Sequence, residues 1–254
     1  MPYIPDFADP RYLDEVGWFL WHERYERDRF GGSYDEERLA YSRSFMDEVL
    51  SYCGRDRLWL EDKTVLSIGC GCTGDLAAWP AAMKVAVDPL LYVYQKLGML
   101  LDDAAGIGRT LYLARGIEDL PLLDECADLV VCRNALDHMP DPEKGLEQIW
   151  RILRRDGALF VSVDIGGVPT PDEPTVFSVE SLAALLQNRF EVVAQNHDNP
   201  PHSQGRDCSV RLLARKKCRA QRALDKAQIL QAYMVRLEQL EQAAEGRGVA
   251  HHDR

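Results

Sequence analysis

At 254 residues, 46% hydrophobic and 28% charged, the chain has the composition of an ordinary folded protein with room for one α/β domain plus terminal additions, which excludes disorder, collagen-like repeats and a disulfide-stapled miniprotein. The 30 Lys and Arg against 41 Asp and Glu leave a formal net charge of −11, which repels polyphosphate, so no nucleic-acid partner is expected. Apolar runs stay far below the ~20 residues of a spanning helix, and residues 1–6 lack a basic-then-apolar leader pattern, so the reading is a cytoplasmic protein with no membrane span.

In chain order, residues 1–55 read as a helical cap. Asp9-Pro10 suits the N-cap and first position of one helix, with Tyr12, Val16, Phe19 and Leu20 at helical spacing before Gly31-Gly32. Ser33-x-x-Glu36 resembles a capping box that opens a second helix, whose face is Leu39, Ser42, Phe45, Met46, Val49 and Leu50. From Thr64 short β-rich runs alternate with helical patterns, which indicates a parallel sheet covered on both faces. Strands are expected at 65–68, 85–87, 110–113, 129–132, 158–163, 190–194 and 210–214.

Pro89 opens one intervening helix. Asp141-Pro142 opens another, with Leu146, Ile149, Trp150 and Leu153 as its stripe and Gly157 behind a basic end of Arg151, Arg154 and Arg155. A further helix is expected over 180–187, after a turn-rich loop over 166–174. The fold class is therefore α/β, a doubly wound, mostly parallel seven-stranded sheet with N-terminal helices and a C-terminal helix. Its core domain spans 56–215, and a C-terminal helix and tail span 216–254. In that tail Ala227, Leu230, Met234 and Leu237 form a seam that suits either a short coiled coil joining two copies or packing on the sheet edge, and the two readings stay open.

Seven cysteines without a C-x-x-C pair read as reduced thiols used as small apolar residues. Cys70-x-Cys72 has no second pair at zinc spacing, so no metal site is expected.

The first strand runs into Gly69-Cys70-Gly71-Cys72-Thr73-Gly74, and Asp88 ends the next strand 19 residues after Gly69. Glycines at that spacing allow a tight turn and close backbone approach, a following helix would offer free N–H groups, and the carboxylate would accept from ribose hydroxyls. A nucleoside-containing cofactor is expected. Asp88 can also serve as the N-cap of the Pro89 helix. The loop alone does not choose between NAD and S-adenosylmethionine.

The remaining segments bear on that choice through a likeness. Residues 64–164, including Val87-Asp88-Pro89, Gly116-Ile117-Glu118-Asp119-Leu120-Pro121, Ala127-Asp128-Leu129-Val130-Val131-Cys132-Arg133-Asn134, Asp137-His138-Met139-Pro140-Asp141-Pro142 and Leu153-Arg154-Arg155-Asp156-Gly157, resemble class I S-adenosylmethionine-dependent methyltransferases. The resemblance implies that Gly69, Gly71 and Gly74, with Cys70, lie under the methionine and ribose of the cofactor. It implies Asp88 on the ribose hydroxyls with Pro89 beside it, Ile117 and Glu118 flanking the adenine, and Asn134 with Arg133 at the methionine end. Three departures stand out: Ser67 occupies a position usually acidic, the glycine loop is one residue longer than the common form, and Gly116 replaces a frequent Asp for which Glu118 can substitute.

The expected function is transfer of a methyl group from S-adenosylmethionine to a small-molecule or glycan acceptor at a hydroxyl oxygen. The alternatives are a catalytically degenerate cofactor-binding subunit or scaffold, in line with Ser67 and the helical tail, and an NAD-dependent oxidoreductase, for which no separate catalytic domain follows. A hydroxyl acceptor needs a base, and His138, just past the fourth strand, is the candidate, weighed against a histidine that merely caps its turn. Asp137 reads equally as a solvated neighbour, and His22, His197 and His202 cannot be placed. Trp18, Trp21, Tyr25, Phe30 and Tyr34 read either as an aromatic roof over the site or as a buried stripe.

Overall fold

The computed structural model describes residues 12, 15–17, 19–21, 24, 29, 31, 34–72, 74–202 and 205–217. The caps expected at Asp9 and Ser33, the aromatics Trp18, Tyr25 and Phe30, His22, Thr73 and the seam of the tail lie outside these residues.

All seven expected strands are present: β1 (Thr64–Ile68), β2 (Met83–Val87), β3 (Thr110–Leu113), β4 (Ala127–Arg133), β5 (Leu153–Ile165), β6 (Phe190–Asn199) and β7 (Cys208–Lys216). They pair in the order β3-β2-β1-β4-β5-β7-β6, and β7 runs antiparallel to both of its neighbours while the others run parallel. The order reverses between β1 and β4. In an open sheet of this kind the crevice beyond the carboxyl ends at such a reversal is where ligands bind.

Side chains alternate along a strand, and that alternation divides the core. Val65, Leu129, Val131, Phe160 and Leu213 turn toward helix α1 (Tyr34–Cys53) and meet Phe45, Met46, Val49 and Leu50, the stripe expected from spacing. Leu66, Ile68, Val130, Cys132, Leu159 and Val161 turn the other way, toward Leu146 and Ile149 of α3 (Pro142–Ile152) and Leu182 and Leu186 of α4 (Val179–Leu186). A short helix α2 (Leu91–Lys96) follows β2. The cap of α3 is as expected, with Asp141 Oδ1 accepting from Lys144 N at 3.0 Å and Pro142 in the first turn.

Three elements differ from the sequence reading. The stretch after the glycine loop is a run of turns rather than a helix, held by Ala77 N to Gly74 O at 2.8 Å and Trp79 N to Leu76 O at 3.1 Å. Pro80 disfavours the helical conformation at Trp79, whose buried indole instead donates to Ser42 O of α1 at 3.2 Å. Helix α2 begins at Leu91 rather than at Pro89. Helix α3 ends at Ile152, so Arg154, Arg155 and Gly157 belong to β5; Leu153 already pairs with Ala127, and Arg154 bonds Asp128 at 2.6 Å. Among the described residues no helix is long and apolar enough to cross a membrane.

Candidate active site

The turn after β1 depends on Gly69. Its φ of +64° is left-handed, and a Cβ there would lie 2.2 Å from the Ala135 Cβ in the loop after β4. Gly69 N and Cys70 N both donate to Val87 O, which ties the turn to β2. Asp88 then stitches the region together: Oδ2 accepts from Gly71 N at 2.9 Å and Oδ1 from Leu90 N at 2.8 Å. Burial raises its pKa, opposed by those two N–H groups. Each carboxylate oxygen carries a further lone pair, so Asp88 can hold the loop and still accept from a ligand.

Gly71 and Gly74 do not open onto a ligand as the resemblance implied. A Cβ at Gly71 would meet the Phe19 ring at 2.8 Å, and one at Gly74 would meet Leu101 at 2.8 Å. Cys70 is buried with Phe19, Leu90 and Tyr94. These three residues let the protein pack on its own loop. Ser67 has a compensation, since its hydroxyl donates to Oδ2 of the buried Asp75 at 3.3 Å.

Beyond the ends of β1, β2 and β4 lies a cavity of about 480 Å³, within the range of small-molecule sites. Of the expected residues, Gly69, Asp88, Pro89, Ile117, Glu118, Asn134 and His138 line it, joined by Tyr12, Glu15, Arg115, Met139 and Asp172. Arg133 does not. It is the last residue of β4 and shares the α1 face with Val131, so its guanidinium sits 4.7 Å over the Tyr41 ring and 5.2 Å over Phe45. Burial, with Arg211 nearby, pushes its pKa down to about 10. The left-handed Asn134, at φ 44°, follows Arg133 and lines the cavity instead.

Five buried side-chain oxygens find no hydrogen-bond partner among the described residues: Glu118 Oε1 and Asn134 Oδ1 of cavity-lining residues, both carboxylate oxygens of Asp137 next to His138, and Tyr94 Oη of α2. Gly116 makes room for Glu118, whose Oε2 would lie 2.7 Å from a Cβ built there.

His138 stands at the cavity wall inside a ring of carboxylates. Its Nδ1 lies 3.7 Å from Glu15 Oε2, and its Nε2 lies 4.0 Å from Asp137 Oδ1 and 3.9 Å from Glu173 Oε1. Glu173 Oε2 accepts from Nε and Nη2 of Arg206, whose Nη1 donates to Gly166 O at 2.9 Å. Thr175 N donates to Asp137 O and pins the loop over 166–178 beside His138. Burial pushes Glu15 up to about 7 and Asp137 up to about 6, each opposed by His138. Burial also works against charge on His138, but Asp137, Glu15 and Glu173 outweigh it and raise its pKa.

Asp137 is thus not a solvated neighbour; it is 1% exposed. Glu15, Glu173 and Arg206 carried no motif and went unnoticed in the sequence, although Glu15 falls beside Tyr12 and Phe19 on one helical stripe. Of the five aromatics read as a roof or a buried stripe, only Trp21 and Tyr34 are among the described residues, and neither lines the cavity. Trp21 is 64% exposed and Tyr34 is buried against Arg38, while Tyr12 and Glu15 line the cavity. His202 lies outside the cavity lining, 2.7 Å from Ser162 Oγ through Nε2 and held by Asp164 through its backbone N–H; His197 does not line it either.

Residues 66–161 match the family model of a methyltransferase domain. That stretch of the chain is thus a methyltransferase domain. Solved structures share the fold of this methyltransferase domain. One is an S-adenosylmethionine-dependent methyltransferase from Methanosarcina mazei, with TM-score 0.51 and 18% identity over 61% of this chain and 93% of that one. Another is the 1,6-didemethyltoxoflavin-N1-methyltransferase of Burkholderia thailandensis, with TM-score 0.52 and 21% identity over 84% of this chain and 92% of that one. A third, the 4+2 cyclase SpnF, has TM-score 0.53 and 16% identity over 69% of this chain and 80% of that one. A cyclase on the same fold shows that architecture alone does not name a reaction.

Proposed function

We propose that this methyltransferase domain moves the methyl group of S-adenosylmethionine onto a small-molecule or glycan acceptor at a hydroxyl oxygen. The observation that carries the reading is the set of polar side chains lining one cavity: the Asp88 carboxylate, and Glu118 and Asn134, each of which keeps one buried oxygen without a partner among the described residues. S-adenosylmethionine carries donors in matching number and kind, namely two ribose hydroxyls, an adenine amino group and an ammonium group. A buried acceptor left unpaired costs about 1–3 kcal/mol, which such a ligand recovers on binding.

When bound, the cofactor supplies an electrophilic methyl on a sulfonium that becomes neutral on transfer. The chain then has to hold the partners close and keep water out. Asp88 holds the ribose, Glu118 and Ile117 the adenine, and Asn134 the amino-acid end. Gly69 keeps the β1 turn against the β4 loop, and Pro89 starts the wall beyond Asp88. Tyr12 and Glu15 cover the opening. His138 stands at the acceptor side and receives the hydroxyl proton, with Glu15 and Asp137 favouring the protonated ring.

The test uses methyl-labelled S-adenosylmethionine with hydroxylated aromatic and sugar acceptors, and with amines and thiols as controls. Label is expected on a hydroxyl acceptor, and lost in His138→Ala with S-adenosylhomocysteine affinity kept. Label on amines alone refutes the hydroxyl assignment, and heat from NADH with none from S-adenosylhomocysteine refutes the whole reading.

A further inference from the structure

The arrangement around His138 exceeds what proton removal requires. The two ring nitrogens face different surroundings: Nε2 looks toward Asp137 and Glu173, at 4.0 and 3.9 Å, while Nδ1 looks toward Glu15 at 3.7 Å. One ligand atom each from Asp137, His138 and Glu173 falls within 4.8 Å of the others. We propose that Asp137, His138 and Glu173 bind one divalent first-row cation of the manganese or zinc class beside the cavity, which His138 lines.

Distances come first. Three ligands with bonds of about 2.1 Å to one ion lie about 3.0–3.5 Å apart, so the separations of 4.0 and 3.9 Å around Nε2 have to contract by about half an ångström to close on it. A direct hydrogen bond would need these atoms about 1 Å closer.

An independent observation is Asp137 itself, 1% exposed with neither carboxylate oxygen hydrogen-bonded among the described residues and only His138, at 4.0 Å, as a charge partner. A carboxylate removed from water without hydrogen bonds is strongly disfavoured, and a cation held between it and Nε2 would satisfy it. Outer-shell groups stand nearby, with Glu15 3.7 Å from Nδ1. A ligating histidine normally gives its second N–H to a carboxylate, and Glu15 faces Nδ1. Glu173 is oriented by Arg206, which binds Oε2 while Oε1 faces His138.

The charges also close. Glu15, Asp137 and Glu173 carry three negative charges, and Arg206 with one divalent cation balances them when His138 is neutral, as a ligating imidazole must be. Two carboxylates and one imidazole suit manganese or zinc better than calcium, which takes more oxygens. Three protein ligands leave positions open for an acceptor oxygen. That last role rests on the methyltransferase reading; the binding itself does not. The role of His138 as proton acceptor is that of the protein without the ion; with the ion bound Nε2 is a ligand, and the acceptor hydroxyl held by the cation gives its proton to water.

The experiment titrates Mn²⁺ into the full chain, following the free Mn²⁺ signal by electron paramagnetic resonance and the heat by calorimetry, with Zn²⁺ as competitor. S-adenosylhomocysteine is titrated into the same samples. One Mn²⁺ per chain is expected, displaced by Zn²⁺, and bound at least tenfold more weakly by Asp137→Asn and by His138→Gln. Both variants should keep the far-ultraviolet dichroism of the parent, with a urea midpoint for Asp137→Asn at or above that of the parent, and Asp137→Asn should keep its affinity for S-adenosylhomocysteine. Absence of Mn²⁺ and Zn²⁺ binding by the parent, or equal binding by folded variants, overturns the site. If S-adenosylhomocysteine still binds in that case, the methyltransferase reading stands without the cation; if it does not, both fall.

Discussion

Arg133 and Asn134 are neighbours at the tip of β4, and they lead into opposite kinds of surroundings. On the α1 side polar groups are matched: Arg133 stacks on Tyr41 and Phe45, Arg211 bonds Glu48, and Ser162 bonds His202. On the cavity side Asn134, Glu118 and Asp137 keep buried oxygens that nothing described satisfies. A folded chain tolerates such atoms where a ligand completes them. The comparison locates the binding face without reference to any motif, and it separates residues that hold the fold from residues that wait for a ligand.

Asp88 belongs to both groups, so its removal has the largest expected effect. Asp88→Ala leaves the Gly71 and Leu90 N–H groups without their acceptor, and about 2–4 kcal/mol of stability should go along with cofactor affinity. Urea unfolding and calorimetry on the same variant check both losses; an affinity loss with an unchanged urea midpoint would show that the loop does not need the carboxylate. Glu118→Ala should divide the two properties. Affinity for S-adenosylhomocysteine is expected to fall by about 1.5–3 kcal/mol while stability stays level or rises, because an unpaired buried oxygen disappears. Arg133→Ala should do the reverse, with about 1–2 kcal/mol of stability lost from the stacked guanidinium and affinity unchanged.

A further contrast is a pH dependence on the α1 side. Burial, then Arg133 and Arg211, push the His202 pKa down to about 4, so the folded state binds fewer protons than the unfolded one between about pH 4 and the ordinary histidine value of 6.5. Folding should therefore lose stability as pH falls through that window. The urea midpoint of His202→Gln should fall less than that of the parent between pH 7 and pH 4.5; equal slopes would remove His202 from the account.

Much of the fold was readable in the sequence because burial writes a pattern. All seven strands and the α1 stripe follow from where apolar residues sit, and Asp141-Pro142 marked the start of α3. The glycine loop and Asp88 were readable because a turn, a carboxylate and their spacing lie within one short segment. Their detail was not. Whether a cofactor or Phe19 covers Gly71 depends on a helix more than 50 residues away in sequence. The carboxylate ring was invisible for the same reason. Glu15, Asp137, Glu173 and Arg206 are ordinary surface residue types on four separate segments, and only the convergence of β4, the loop after β5 and the link before β7 on the N-terminal segment brings them to His138. Arg133 was misplaced because the turn to the left-handed Asn134 decides which side chain enters the cavity, and a positive φ at Asn leaves no mark in hydropathy.

The central claim is that the face with unpaired oxygens holds S-adenosylmethionine, and calorimetric titration of S-adenosylhomocysteine into the parent, Glu118→Ala and Arg133→Ala tests it most directly. The account predicts one site per chain in the micromolar range, about −8 kcal/mol, weakened at least tenfold by Glu118→Ala and unaltered by Arg133→Ala. Equal affinity in the parent and Glu118→Ala, or a loss confined to Arg133→Ala, would contradict it.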